Sequence, residues 1–252
     1  MINHLVSYVL TAAYKDRIFL SFFILLVVIV SLSLFFGASA VTEQDQFAIV
    51  FTSGSLRLIS IFILTLFIIF YFSRSFENRD VDFLFSKPIT RWQFILSHFL
   101  AFSLLSLLMA FTVTVAVVLL SPSDFGFSLL VWGGSIFIEL VVLSAMAIFF
   151  GIAFNNAVPG ALATIGFYVL ARLIGDIIGI LEIGAVNSVT LVLSKIMTVI
   201  SFFIPRLDLI GQTSWLVYGL NDFNFFPLLG QIVIFLGLVL SATYLDLKRR
   251  QF

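Results

Sequence analysis

Long stretches of this chain carry no charge at all. Ile18 to Phe36 contains none, Leu58 to Ser73 is almost wholly apolar, and Phe94 to Leu120 holds only His98 as a titratable group. A helix crossing the hydrocarbon of a bilayer needs about 20 such residues. A soluble fold of this length has nowhere to hide so much apolar side chain, because much of any fold stays exposed. Charged residues make up 10% of the chain, where a soluble domain has about 25%. The 32 phenylalanines suit helices that face lipid better than a soluble core. The expected fold is all-α: a polytopic membrane helical bundle in one domain, residues 1–252, with no internal repeat and no low-complexity linker.

Six spans are expected, at roughly 18–40, 56–73, 93–120, 129–154, 158–180 and 227–247. Lys and Arg set the orientation, since they accumulate on cytoplasmic segments. With the N-terminus inside, the cytoplasmic segments hold Lys15, Arg17, Arg74, Arg79, Lys87, Arg91, Lys248, Arg249 and Arg250 out of 13 basic residues. Arg57, Lys195 and Arg206 fall outside, and Arg172 lies within a span. Both termini are therefore expected in the cytoplasm. Residues 188–204 are apolar but short for a crossing, with Lys195 in the middle. They read as an external helix pair or a re-entrant segment ended by Pro205. The stretch that follows, with Trp215 and Tyr218, reads as interfacial, because aromatic rings with one wet edge favour the headgroup level.

The N-terminus lacks the basic region and short apolar core of a cleaved signal peptide. Ile2, Leu5, Val6, Val9 and Ala13 instead share one helical face, which predicts a helix lying in the membrane interface. A net charge of zero offers no basic patch for nucleic acid, and the absence of cysteine excludes disulfides and thiolate metal sites. His4 and His98 are far apart, so no metal centre is expected.

The most charged stretch is the internal loop from Arg74 to Arg91. Val81, Leu84, Phe85, Pro88 and Ile89 recur at helical spacing, with Arg79, Asp80, Asp82, Ser86 and Lys87 off that face. A short amphipathic helix is expected to stop near Pro88, because the residue before a proline avoids helix. Thr90 and Gln93 then form a capping box that opens the third span. Phe83 sits among the polar residues, as a docking knob for a soluble partner would, or as a side chain dipping into headgroups.

This loop resembles the membrane-spanning subunits of type-2 ABC exporters. After their second span these carry a Glu, then Gly-Thr, a Leu-rich stretch, and Ser-x-Pro-Ile/Val-Ser/Thr-Arg. Glu77, Leu84, Ser86, Pro88, Ile89, Thr90 and Arg91 fit that pattern, while Arg79-Asp80 replaces Gly-Thr. The six-span layout, the N-terminal helix and the external segment before the last span resemble the same family. The resemblance implies that the loop is a coupling helix resting in a groove of a separate ATPase subunit. Glu77, Arg79, Asp80, Asp82, Phe83, Leu84, Ser86, Lys87, Pro88 and Arg91 would be the coupling residues. It also implies two permease copies, identical or related, with two ATPases that use ATP and Mg, in a bacterial cell membrane. The chain has no G-x-x-x-x-G-K-[ST] phosphate loop, so it is not expected to be an enzyme or to bind a cofactor itself.

Glu139, Arg172 and Asp176 fall inside predicted spans, where charge is costly and usually faces protein or water. Arg172 and Asp176 are four apart and can pair. The short turn at Asn155-Asn156-Ala157 makes the fourth and fifth spans antiparallel neighbours, bringing Glu139 towards Arg172. The cluster reads either as a structural ion pair or as the lining of a substrate path or dimer seam. Gly160, Thr164, Gly166 and Gly175 permit close helix approach at such a seam. Alternatives to the exporter are an ion-coupled secondary transporter, which needs intramembrane carboxylates, and a non-transporting scaffold or sensor. An intramembrane enzyme is disfavoured, because no His-Glu-x-x-His motif occurs and His98 is the sole histidine at depth.

Overall fold

The computed structural model describes residues 2–39, 44–85, 89–120, 126–154, 156–183, 188–220 and 225–249. Among these the chain is helical and contains no strand. Helix α1 (Ile2–Lys15) precedes the first long helix, α2 (Arg17–Ser39). Then come α3 (Gln44–Glu77), the short α4 (Asp80–Phe85), α5 (Arg91–Leu120), α6 (Phe127–Phe154) and α7 (Ala157–Ile183). Helix α8 (Ser188–Phe203), a 3-10 turn (Leu207–Leu209) and α9 (Ser214–Tyr218) lead into α10 (Phe225–Arg249). Helices α2, α3, α5, α6, α7 and α10 are long and apolar enough to cross a membrane. They match the six expected spans, and the protein is a helical membrane bundle.

Local signals explain most boundaries. The Asp16 carboxylate accepts the Ile18 N–H at 3.0 Å and caps α2. The Asn156 side chain accepts the Val158 N–H at the start of α7. Pro159 and Pro227 both sit in the first turn of their helices, where a missing N–H breaks no bond. Pro205 follows the end of α8. Gln231 of α10 donates to the carbonyls of Ser201 at 2.6 Å and Ile204 at 3.0 Å, satisfying acceptors that a helix end leaves open.

Helices α3 and α6 are the most enclosed spans, with α2, α5, α7 and α10 around them. Their outer neighbours expose large apolar side chains such as Phe35, Phe111, Leu162 and Val233. Lipid makes that exposure cheap, and inside the bundle small and polar residues are buried alongside large apolar ones such as Phe67 and Trp132. Ser33, Thr52, Ser53, Ser60, Ser106, Ser144 and Thr164 are all buried. Most of their hydroxyls donate to a carbonyl one turn back, as Ser60 does to Leu56 and Thr164 to Gly160. A hydroxyl satisfied within its own helix is cheap to bury. Ser33 is the exception that joins two helices, donating to the Ala48 carbonyl of α3 at 2.7 Å.

The face read from the N-terminal sequence is the one α1 buries. Leu5, Val9 and Ala13 are buried while Tyr8 and Tyr14 are exposed, and α1 lies mainly against α5. Helix α8 has 16 residues, about 24 Å at helical rise, and is shorter than a span. It folds back on α7 with Lys195 exposed. The segment from Pro205 to Leu220 then turns inward. Leu207, Ile210, Trp215 and Leu216 are buried between α3, α6 and α7. Trp215 is thus an internal anchor, packed edge-on to Phe225 at 5.9 Å, and Tyr218 alone of that aromatic pair is exposed.

Candidate functional site

Two regions carry the polar chemistry, one at each end of the bundle. At the end holding both termini, Arg74 closes α3 on the α1–α2 turn through a 3.0 Å ion pair with Asp16. Arg91, the first residue of α5, donates to the Leu247 carbonyl at 2.7 Å near the end of α10. Next to it, Trp92 stacks on Tyr244 at 4.7 Å. Arg91 therefore fastens two spans together, rather than presenting only an outward charge. Glu77 accepts from Ser73 one turn back.

Between these fasteners the chain leaves α3. Arg79 adopts φ +58°, the one left-handed non-glycine residue among those described. Helix α4 starts at the next residue and packs against α3, with Val81 buried and Leu84 half-buried. Its described residues run to Phe85, and the expected stop near Pro88 lies outside the described residues. Ser86, Lys87 and Pro88 lie outside the described residues, as do the side chains of Asp82, Phe83 and Phe85. The capping box is present as expected. The Thr90 N–H donates to Gln93 Oε1 at 3.1 Å, and the Gln93 N–H to Thr90 Oγ1 at 3.3 Å. A cavity of about 530 Å³ separates α1 and the α1–α2 turn from α3 and α4, with Lys15, Arg17, Tyr71 and Asp80 on its wall.

His98 is buried behind that wall, against Phe72, Phe94 and Phe102. Its Nδ1 lies 2.8 Å from the Phe94 carbonyl. A carbonyl only accepts, so Nδ1 carries the proton. In the neutral ring Nε2 then accepts from the Tyr71 hydroxyl at 3.2 Å. Both ring nitrogens are engaged, and among the described residues no serine or threonine hydroxyl is paired with them.

The second region lies in the opposite half. Arg57 on α3, Glu139 on α6 and Arg172 on α7 sit about 16–20 Å in from the helix ends on that side, at ~1.5 Å per residue. Arg57 is 4% exposed, and its helix begins at Gln44. Arg57, expected in an external segment, is therefore buried within the bundle, on a helix that runs on past its apolar stretch. The expected pairing of Glu139 with Arg172 is corrected too. Glu139 takes Arg57, with Nε to Oε2 and Nη2 to Oε1 both at 2.6 Å. Arg57 Nη1 also donates to the Gly211 carbonyl. Arg172 Nη1 donates to the carbonyls of Leu207 at 2.5 Å and Ile210 at 2.8 Å. Asp176 is exposed and makes no ion pair with Arg172, because the guanidinium turns towards the inward segment instead.

The chemistry of this arrangement is clear. Irregular backbone inside a membrane bundle needs donors for its carbonyls, and the two arginines supply them. Gly211 fits this role twice. Its φ is +61°, and a Cβ there would meet the Arg57 guanidinium at 2.8–2.9 Å. On α7, Gly175 leaves room for Asp208, whose carboxylate pairs with Arg206 at 2.8 Å. Gly160 receives Ile69 of α3, so neither glycine is free for a seam with another chain, whereas Gly166 meets nothing within 4 Å. Among the described residues no three His, Cys, Asp or Glu side chains gather as metal ligands. Neither a family model nor a curated protein matches the chain.

Proposed function

We propose that this chain is the membrane-spanning permease subunit of an ATP-driven ABC exporter. The observation that carries the reading is the break between α3 and α5. A left-handed residue, a six-residue helix and a capping box follow one another on the side of both termini. They occupy the stretch from Glu77 to Arg91 that resembles the coupling segment. The left-handed residue, Arg79, stands where the family pattern has glycine, the residue that adopts this conformation without strain. In the sequence α4 stands between the end of α3 and the Arg91-anchored start of α5. A push on it is passed to two spans at once.

In this reading α4 docks on a separate ATPase that uses ATP and Mg, and Asp82 and Phe83 make the contact. A second copy of the chain, or a related permease, completes the transporter in a bacterial inner membrane. Both termini are cytoplasmic, as the basic residues at that end favour, and α1 lies in the interface there. Glu139 weighs against the ion-coupled alternative. Both its oxygens are held by Arg57 and it is fully buried, so no oxygen is open to a coupling ion.

The test is purification of the chain from native membranes in mild detergent, followed by mass spectrometry. A stoichiometric ATPase with a phosphate loop is expected. A homo-oligomer without one would overturn the reading in favour of a carrier or a scaffold.

A further inference from the structure

A cavity of about 380 Å³ opens between α3 and α7 on the half away from the termini. That is within the roughly 300–1,000 Å³ typical of ligand pockets. Its wall divides by chemistry. Arg57, Tyr168, Arg172 and Thr213 provide polar groups, while Leu58, Val169 and Leu173 form an apolar rim. The rim residues are 43–47% exposed on helices long enough to span, so the mouth faces lipid rather than water.

The charges on the floor do not cancel locally. Glu139 is taken by Arg57, and Asp208 by Arg206. Arg172 has no ion-pair partner among the described residues. Only its Nη1 is bonded, to backbone carbonyls, which leaves Nε and Nη2 as donors. Tyr168 adds a second, independent sign. It is 7% exposed and lines the same cavity, where its hydroxyl can donate to an acceptor. A guanidinium inside a membrane bundle is costly unless its donors find acceptors. An acceptor carrying negative charge would satisfy both groups.

We infer that this cavity binds the anionic headgroup of an amphiphile, a phosphate ester or a free carboxylate, whose chains lie along the apolar rim. Arg172 and Tyr168 hold the anion, and Leu58, Val169 and Leu173 contact the chains. The inference stands apart from the exporter reading. A resident phospholipid and an exported amphiphile would satisfy the same groups, and the site needs no ATPase.

The test is native mass spectrometry of the purified full chain, titrated separately with phosphatidylglycerol, with phosphatidylcholine of the same acyl chains, and with inorganic phosphate. One saturable phosphatidylglycerol site is expected, at least about tenfold tighter than for phosphatidylcholine. Arg172→Gln should erase that preference, since a bond to a charged group is worth about this factor or more. Tyr168→Phe should weaken the site several-fold, and Leu173→Trp should block both lipids by filling the mouth. Lys195→Gln, which removes an exposed cation from α8, should change nothing. Equal binding of the two lipids, or full binding by both Arg172→Gln and Tyr168→Phe, would overturn the inference. Displacement by inorganic phosphate at lipid-like concentrations would overturn the amphiphile assignment in favour of a soluble anion. If Arg172→Gln does not fold, Tyr168→Phe and Leu173→Trp carry the test, because both leave the arginines in place.

Discussion

Arg57 and Glu139, 82 positions apart, meet in a bidentate pair with both contacts at 2.6 Å, on side chains 5% and 0% exposed. The pair joins the two most enclosed spans. It also holds the inward segment, because the same guanidinium donates to Gly211 and Ile210.

Removing one partner of a buried pair leaves an uncompensated charge, at a cost of about 3–5 kcal/mol. Glu139→Gln and Arg57→Met should each lower the unfolding midpoint in detergent strongly. The double variant should cost less than the sum, since it strands no charge. It should not return to the parent value, because the Gly211 carbonyl still lacks its donor. Additive losses would show that the pair does not hold these helices together.

Glycine positions on the inward segment and on α7 separate in the same way. Gly211→Ala combines a left-handed backbone with a contact on Arg57, and should destabilise by roughly 1–3 kcal/mol. Gly175→Ala should do likewise by displacing Asp208. Gly166→Ala has open space around it and should be neutral or stabilising by up to about 1 kcal/mol, the gain in helix propensity. Thermal unfolding of the three variants side by side checks the order.

The spans, the capping box and the buried face of α1 were legible because each leaves a local mark: an apolar run, a Thr-x-x-Gln, a periodic stripe. The partners of the membrane arginines leave none. The i, i+4 rule offered Asp176 to Arg172, but carbonyls of Leu207 and Ile210, 35 and 38 positions away, take the donor. A backbone acceptor has no side-chain signature. The helix that carries Arg57 runs outward through Thr52 and Ser53, beyond the apolar run that marks the span. Both are fully buried, turned into the bundle where polar residues mark packing. The usable signal was Arg57 itself, a charge between Leu56 and Leu58 that demanded a buried partner.

Arg79 carries a backbone cost that a substitution can relieve. At φ +58° on an exposed turn, a side chain costs roughly 1 kcal/mol relative to glycine. Arg79→Gly should raise the unfolding midpoint modestly while leaving α4 in place, as read by hydrogen exchange over 76–85. A lowered midpoint would mean that the Arg79 side chain contributes more than its conformation costs.

The loop variants test whether α4 transmits force, as distinct from merely folding. Asp82→Arg and Phe83→Ala change residues that the sequence pattern places off the apolar face and should leave the unfolding midpoint unchanged. In the exporter reading both should reduce co-purification of the ATPase and abolish its stimulation by the permease. Thr90→Ala acts differently. It removes one half of the capping box, a loss of about 1 kcal/mol, and loosens the joint between α4 and α5 while sparing the docking face. It should therefore retain the ATPase but transmit less of its motion, giving normal assembly with weakened stimulation of hydrolysis. Retained assembly and retained stimulation in all three variants would remove α4 from the coupling role.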